Sequence, residues 1–279
     1  MNMTRFHTQR FGSDRCRIES NTATPLTDDQ LRGAVPSLFA AEKHESRSGA
    51  YTYVPTIDIL TQLRREGFAP YSACQTRARD GAHMGHTKHM IRLRRAEQCT
   101  EDVPEVIVVN AHNGTSSYQM MAGVFRFVCA NGLIVADDAA QEIRIPHKGD
   151  IVGEVIEGAY RIVKDFEVVR EAMNEMKGVR LSSYEQITLA ESALALRWPD
   201  GAPIDAALAL APRRYEDKGN EAWTVLNRLQ ENLVRGGLRG QAPNGRRQRT
   251  RAVNGIGMSV ALNRQLWALT QKMVALKAH

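Results

Sequence analysis

The apolar residues between Asp150 and Gly178 recur at steps of three and four residues over about seven helical turns. The apolar positions are Val152, Val155, Ala159, Ile162, Phe166, Val169, Met173 and Met176. Charged residues fill the opposite side, so the pattern predicts one long amphipathic helix. A helix of this length needs an extended apolar surface to cover, and this requirement constrains the architecture of the rest of the chain.

Short stretches with strand-like patterns precede this helix. They are residues 68–77, 89–95, 105–110, 124–128 and 133–135. β-branched residues dominate the run from Glu105 to Asn110, and Asn131-Gly132 is a strong signal for a hairpin turn. We therefore expect a small antiparallel sheet, with its apolar face covered by the long helix.

Helix signals flank the predicted sheet on both sides. Capping boxes at Thr27–Gln30 and Ser182–Glu185 each predict the start of a helix. Further helices are predicted from Asn220 to Arg235 and from Met258 to Leu276. The last helix has a near-heptad seam at Leu262, Leu266, Leu269, Met273 and Leu276. The fold class is therefore α+β, with a helical C-terminal half.

Three regions follow from these patterns. Residues 1–25 are polar and lack apolar periodicity, which predicts an irregular N-terminal arm. Residues 26–178 form the α+β core, and residues 179–279 form a helical region with a basic arginine- and glycine-rich loop at 235–255.

Charge is distributed unevenly along the chain. Residues 232–279 contain seven arginines, two lysines and no aspartate or glutamate. The whole chain has 37 basic and 31 acidic side chains, so residues 1–231 carry 28 − 31 = −3. A near-neutral body with a cationic C-terminal segment points first to nucleic acid as the partner.

The basic loop supplies the first set of candidate nucleic-acid-binding residues. They are Arg235, Arg239, Arg246, Arg247, Arg249 and Arg251. Planar guanidinium groups suit phosphate oxygens, and the interleaved glycines let the loop follow an irregular polyanion. An acidic protein partner, an anionic lipid surface or a merely solvated tail would also fit this composition.

A second basic cluster is predicted on the sheet. Lys88, Arg92 and Arg94 share one face of the strand at 89–95, and Arg77 and Arg79 lie across the presumed hairpin. The functional interpretation is a groove that tracks a nucleic-acid backbone, with Tyr51, Tyr53 and Tyr71 stacking on unpaired bases. The alternative is an ordinary solvated sheet face.

Patterns for metal or enzyme chemistry are weak. His83, His86 and His89 invite a metal site, but the stretch crosses a turn and lacks a second Cys or His pair. Carboxylates that could serve a metal-dependent nuclease are Asp137, Asp138, Glu142, Asp150 and Glu154. Phosphate-loop, dinucleotide-binding and GxSxG motifs are missing. We expect no enzyme, no cofactor and no metal.

Compartment signals favour the cytoplasm. The chain has no apolar run of 18 residues and no apolar stretch near its N-terminus typical of a signal peptide. Its four cysteines are scattered and form no CxxC pair, which favours reduced thiols.

Several long blocks carry a family resemblance. They are HESRSGAYTYVPTIDIL (44–60), GHTKHMIRLRR (85–95), SSYQMMAGVFRFVCANGLIV (116–135), VIEGAYRIV (155–163), GNEAWTVLNRLQENLVRGGLRG (219–240) and NGRRQRTRAVNGI (244–256). These blocks resemble the family catalogued as domain of unknown function 932. The resemblance implies a setting in plasmids, phages or prophages and carries over no catalytic residue. The element order is similar in outline to phage single-strand annealing proteins, an analogy at the level of fold.

These observations together predict a nucleic-acid-binding protein of a mobile genetic element. It is expected to prefer single strands, to form homo-oligomers and to promote annealing or recombination. One alternative is an anti-defence protein that binds a host restriction or immunity component. The other is the metal-dependent nuclease described above.

Overall fold

An antiparallel sheet followed by helices makes up the part of the chain that the computed structural model describes. The described residues are 15–20, 24–40, 52–76, 85–95, 102–113, 116–126, 131–135, 142–241 and 245–277. This arrangement confirms the α+β class and the helical C-terminal half.

Seven strands of the described residues form the main sheet. They are β1 (Arg15–Glu19), β2 (Phe68–Thr76), β3 (His89–Arg95), β4 (Asp102–Ala111), β5 (Ser116–Arg126), β6 (Asn131–Val135) and β7 (Ile143–Ile145). Strands β1 to β6 follow one another in chain order, and β7 pairs with β5. Short connections join the successive strands from β2 to β6, whereas residues 20–67 separate β1 from β2.

Two local predictions on the sheet are wrong. Residues 15–19, expected in an irregular arm, form β1, which pairs antiparallel with β2. Only Ile18 of the described β1 side chains is a buried apolar residue, so the strand lacks a clear apolar alternation. Asn131 and Gly132 lie in β6 rather than in a hairpin turn. The segment 127–130 that precedes them lies outside the described residues.

Two helices, α1 (Asp28–Ala34) and α2 (Thr56–Arg65), lie in the N-terminal part of the chain. The predicted capping box of α1 is confirmed, because Thr27 and Gln30 bond reciprocally across the first turn. Ile59, Leu60 and Leu63 form the buried side of α2.

The long helix α3 (Ile151–Gly178) confirms the prediction from apolar spacing. Asp150 caps its N-terminus, since its carboxylate accepts a hydrogen bond from the Gly153 N–H at 3.0 Å. Gly158 lies against the sheet, where an added Cβ would stand 2.8 Å from the Met120 sulfur. The first half of α3 therefore covers β5, as the sequence predicts.

The chain divides into two compact units by its internal contacts. The first comprises residues 1–132 and 140–166, and the second comprises 133–139 and 167–279. The division falls within α3, at Phe166 and Glu167, rather than at its C-terminal end.

The second unit contains four further helices and a small hairpin among its described residues. The elements are α4 (Ser183–Arg197), α5 (Ala206–Ala209), α6 (Ala222–Arg235), β8 (Arg239–Gln241), β9 (Arg247–Arg249) and α7 (Ile256–Lys277). The capping box that opens α4 is confirmed at Ser182 and Glu185. Trp223 of α6 meets Trp267 of α7 edge to face, with ring centroids 6.3 Å apart.

The buried stripe of α7 differs from the predicted heptad seam. Leu262 and Leu266 are buried, but Leu276 is 67 % exposed, and Trp267, Thr270 and Val274 are buried instead. A straight helix has 3.6 residues per turn, so a contact stripe drifts away from a strict seven-residue spacing. Within the described residues, no helix is both long and apolar enough to cross a bilayer.

Candidate nucleic-acid interface

The arginine-rich loop of the C-terminal half folds into a hairpin that begins directly after α6. Gly236 and Gly237 have φ angles of 62° and 81°, a left-handed conformation that favours glycine. The base of the hairpin is closed by backbone hydrogen bonds from Gly237 N to Thr250 O and from Thr250 N to Leu238 O, both 2.8 Å long. The local backbone order therefore comes from glycine geometry and main-chain pairing.

The register of the hairpin sets which side chains share a face. Arg239 lies opposite Arg249, Gly240 opposite Gln248, and Gln241 opposite Arg247. Residues directly opposite one another in an antiparallel pair project to the same side, and successive residues alternate. The three arginines and Gln241 therefore lie on one face, which we call the arginine face.

The opposite face of the hairpin lies against the body of the second unit. A Cβ added to Gly240 would stand 1.9 Å from the Pro203 carbonyl oxygen and 2.6 Å from an Ile204 methyl carbon. The Gln241 N–H also donates to the Pro203 carbonyl oxygen at 2.7 Å. The glycine side is therefore occupied at Gly240, whereas all four side chains of the arginine face are exposed to solvent or a ligand.

The arginine face concentrates uncompensated positive charge. Arg239, Arg247 and Arg249 are exposed, and none of them forms an ion pair with any described residue. Like charges directly opposite one another destabilise a strand pair, so Arg239 and Arg249 repel each other. The hairpin residues line a concavity of about 720 Å³. An anion bound there would relieve the repulsion.

The other predicted arginines of this loop flank the hairpin. Arg246 and Arg251 are exposed. Arg235 differs, because it pairs at 2.7 Å with the buried carboxylate of Glu231 at the end of α6. Five of the six predicted arginines of the basic loop therefore lie in or next to the hairpin strands, and Arg235 lies at the end of α6.

A contact between Arg197 and the chain just after the hairpin was not predicted from the sequence. The Arg197 guanidinium lies 4.5 Å from the centroid of the Trp198 ring and donates to the carbonyl oxygen of Arg251. Burial lowers the pKa of Arg197 to about 10, which still leaves it charged at neutral pH. The Arg-Trp-Pro sequence at 197–199 was informative only as a helix stop, because its long-range partner cannot be inferred from spacing.

The second predicted basic cluster does not form an open face. Arg92 and Arg94 are each 3 % exposed, and their Nε atoms lie 2.5 and 2.8 Å from the two carboxylate oxygens of Glu105. The expectation that this face is open to solvent is therefore wrong for both arginines. Lys88 is half-buried, and Arg77 and Arg79 lie outside the described residues.

The predicted stacking tyrosines are also placed differently. Tyr71 is 3 % exposed and lies under Arg94, whose guanidinium carbon is 4.7 Å from the ring centroid. The Tyr53 hydroxyl donates to the Ala40 carbonyl oxygen at 2.5 Å. Tyr51 lies outside the described residues. Tyr71 therefore offers no open platform for a base, and Tyr53 is half-buried with its ring centroid 4.9 Å from that of His112.

A buried polar cluster in the first unit was missed by the sequence analysis. The Thr56 hydroxyl lies 2.9 Å from Nε2 of His89, 2.9 Å from Nε2 of His112 and 3.3 Å from the Tyr118 hydroxyl. Asn110 donates its side-chain N–H to the same hydroxyl at 3.2 Å. These residues come from α2, β3, the end of β4 and β5, so the cluster ties four elements together.

The hydrogen-bond partners assign the protons in this cluster. Nδ1 of His89 contacts the Thr87 carbonyl oxygen at 3.1 Å, and a carbonyl can only accept, so Nδ1 carries the proton. The bare Nε2 of His89 then accepts from Thr56. The remaining lone pairs of Thr56 accept from Asn110 and from Nε2–H of His112. Burial favours the uncharged form of both imidazoles, so both histidines are neutral in the folded protein at neutral pH.

Burial lowers the pKa of His89 from 6.5 to about 4 and the pKa of His112 to about 2. The unfolded chain binds protons at a higher pH than the folded chain, so their contribution to stability is complete above 6.5 and is lost as the pH falls. Below pH 6.5 we expect the unfolding free energy to decrease by up to about 1.4 kcal/mol per pH unit for each histidine.

Urea unfolding of wild type and His112→Gln between pH 7.5 and about 4.5 checks this expectation. Carboxylates titrate in both proteins and cancel in the comparison. The unfolding free energy of the variant is expected to fall less steeply with decreasing pH. The difference in slope should correspond to about one fewer proton taken up on unfolding. Equal pH slopes for the two proteins would contradict the assignment of a neutral, buried His112.

The structure describes only some of the residues proposed for metal binding or nuclease chemistry. In the described part of the chain, no group of three or more His, Cys, Asp or Glu side chains is arranged to hold a metal ion. Glu142 pairs with Arg144 at 2.7 Å, and Asp150 caps α3. His83, Asp137 and Asp138 lie outside the described residues.

The fold and the hairpin define a class: an α+β protein with an exposed arginine face on its helical second unit. The model of the domain of unknown function DUF932 matches residues 43–267, so the chain belongs to that family. It is 50 % identical to the UPF0380 protein YfjQ and 49 % identical to the UPF0380 protein YafZ, both of Escherichia coli strain K12. Each match spans 252 residues, 90 % of this chain and 92 % of the relative. No solved structure matches.

Proposed function

We propose that the protein binds nucleic acid through the arginine face of the β8–β9 hairpin. The single observation that carries the proposal is the pairing of Arg239 with Arg249, two exposed like charges held opposite each other on a body-anchored hairpin. Such a pair destabilises the hairpin when it is alone, and bound phosphates would remove the repulsion by neutralising both charges. The acid-free composition of residues 232–279 adds long-range attraction for a polyanion.

Other anionic partners are weaker candidates for this face. The fork of arginine matches phosphate geometry, and three forks on one rigid hairpin suit a repeating array of phosphates. A lipid surface would favour an adjacent apolar face, but the hairpin itself contributes only arginine, glutamine and glycine in its described strands.

A salt series with fluorescent oligonucleotides tests the proposal. Binding of matched single-stranded and duplex DNA is measured by anisotropy, with the mass of the complexes determined in the same samples. The logarithm of the association constant is expected to fall linearly with the logarithm of salt concentration, at about one unit per neutralised phosphate. Absence of binding at low salt, or binding that ignores salt, would refute the proposal.

Several finer expectations stay predictions. They are a preference for single strands, homo-oligomerisation, annealing or recombination as the process served, and a setting in mobile DNA. The single-strand preference relied on tyrosine platforms, and the buried Tyr71 does not provide one. The proposal therefore names nucleic acid as the ligand class without fixing the number of strands.

A further inference from the structure

The β8–β9 hairpin has the shape of a two-stranded antiparallel ribbon with one free face. Paired strands lie about 4.8 Å apart, and the major groove of B-form DNA, about 12 Å wide, admits a two-stranded ribbon. The minor groove is about half as wide, and proteins that bind there commonly kink or bend the duplex. The underside is closed at Gly240 by Pro203 and Ile204, although Gln248 on the same side is exposed. The arginine face is the side that is exposed along its whole length.

The side chains on this face match the acceptors of that groove. Guanine presents O6 and N7 there, and arginine binds the two atoms with its planar fork. Nε of Arg249 donates to the Gly237 carbonyl oxygen at 3.2 Å, which fixes the stem of the side chain while its exposed end faces solvent. The Gln241 amide donates to the Gly245 carbonyl oxygen at 2.7 Å and shapes the tip.

We propose that this ribbon inserts its arginine face into the major groove of B-form duplex DNA, an inference that rests on the proposed function. Arg239, Arg247 and Arg249 contact base edges, chiefly guanine. Arg246 and Arg251, at the two ends of β9, are exposed and lie where the phosphate rims of the groove would pass. Base contacts then add sequence preference to charge attraction.

Two features favour duplex DNA over the other nucleic acids. Binding of single strands draws on aromatic side chains that stack with bases, and the described ribbon strands, RGQ and RQR, contain none. Double-stranded RNA is A-form, with a deep and narrow major groove that side chains cannot read. A ribbon of arginines therefore fits the B-form duplex best.

Duplexes in which 7-deazaguanine replaces guanine isolate the contact. The replacement removes the N7 acceptor from the major groove and leaves the phosphates and base pairing in place. Wild-type protein is expected to bind the modified duplex about fivefold or more weakly than the unmodified duplex, at equal salt slope. It is also expected to bind the unmodified duplex more tightly than either of its single strands.

Two variants complete the experiment. The triple variant Arg239→Lys, Arg247→Lys and Arg249→Lys keeps the charge and removes the planar forks, so its preference for the unmodified duplex should be smaller than that of wild type while the salt slope is retained. The control Gln248→Ala, on the Gly240 side of the ribbon, should retain the preference for the unmodified duplex.

The outcomes separate this proposal from the proposed function. Equal wild-type affinity for the modified and unmodified duplexes, or tighter binding of single strands, overturns insertion into the major groove. Salt-dependent binding in the same measurements would leave nucleic-acid binding intact. Absence of binding to every oligonucleotide would refute both.

Discussion

Replacing Arg239, Arg247 and Arg249 by alanine is expected to weaken DNA binding by about a hundredfold near physiological salt. Each of the three guanidinium groups that enters the groove neutralises phosphate charge there as well as reaching base edges. Each releases about 0.9 counterion on duplex DNA, so together they contribute close to three units of log–log slope. A salt titration of wild type and the triple alanine variant measures the difference in slope directly. The fold should persist, because the three side chains are exposed.

A matched control separates local contacts from net charge. Arg65, Lys164 and Arg170 are also exposed, and their replacement by alanine removes the same charge from α2 and α3. The control variant should keep the wild-type slope, because the proposal assigns no phosphate contact to these three side chains. Equal slopes for wild type and the hairpin variant would exclude these three arginines as phosphate contacts.

Glu105→Ala is expected to lower the unfolding free energy by about 3–5 kcal/mol. The Glu105 side chain is 0 % exposed, and it pairs with the buried Nε atoms of Arg92 and Arg94. Its removal withdraws the shared carboxylate from two guanidinium groups that water cannot reach. Denaturant unfolding, with the slope against denaturant compared between proteins, measures the loss.

Two further variants test whether the loss of unfolding free energy comes from the burial of the ion pairs. Glu157→Ala breaks an exposed pair with Arg161, whose side chain is 62 % exposed, and should cost under about 1 kcal/mol. The combined variant Arg92→Met, Arg94→Met and Glu105→Leu should recover much of the stability, because an apolar replacement leaves no buried charge. A small effect of Glu105→Ala would contradict a structural role for this network.

Elements with local signals were predictable from the sequence. The capping boxes at Thr27 and Ser182 specify hydrogen bonds within one turn, and both formed as expected. The period of α3 reports one face of one helix, so the sequence alone located its ends to within a residue or two. The exposed arginine loop followed from composition, because residues 232–279 contain no acidic residue.

Features that depend on long-range partners were not predictable. Arg92 and Arg94 alternate with apolar residues as in a half-solvated strand, and only the neighbouring strand supplies the buried Glu105. The Thr56 cluster draws His89 from β3 and His112 from the turn that follows β4. Likewise, the pairing of Arg239 with Arg249 depends on a register that spacing alone does not fix.

The register of the hairpin also has a practical consequence. Two guanidinium groups facing each other across a ribbon attract whatever multivalent anion is most abundant, in the cell or in a buffer. Protein isolated at low ionic strength should therefore carry host oligonucleotides, visible as excess ultraviolet absorbance. A high-salt wash would strip this cargo, and sulfate or phosphate would then raise the melting temperature more than chloride does.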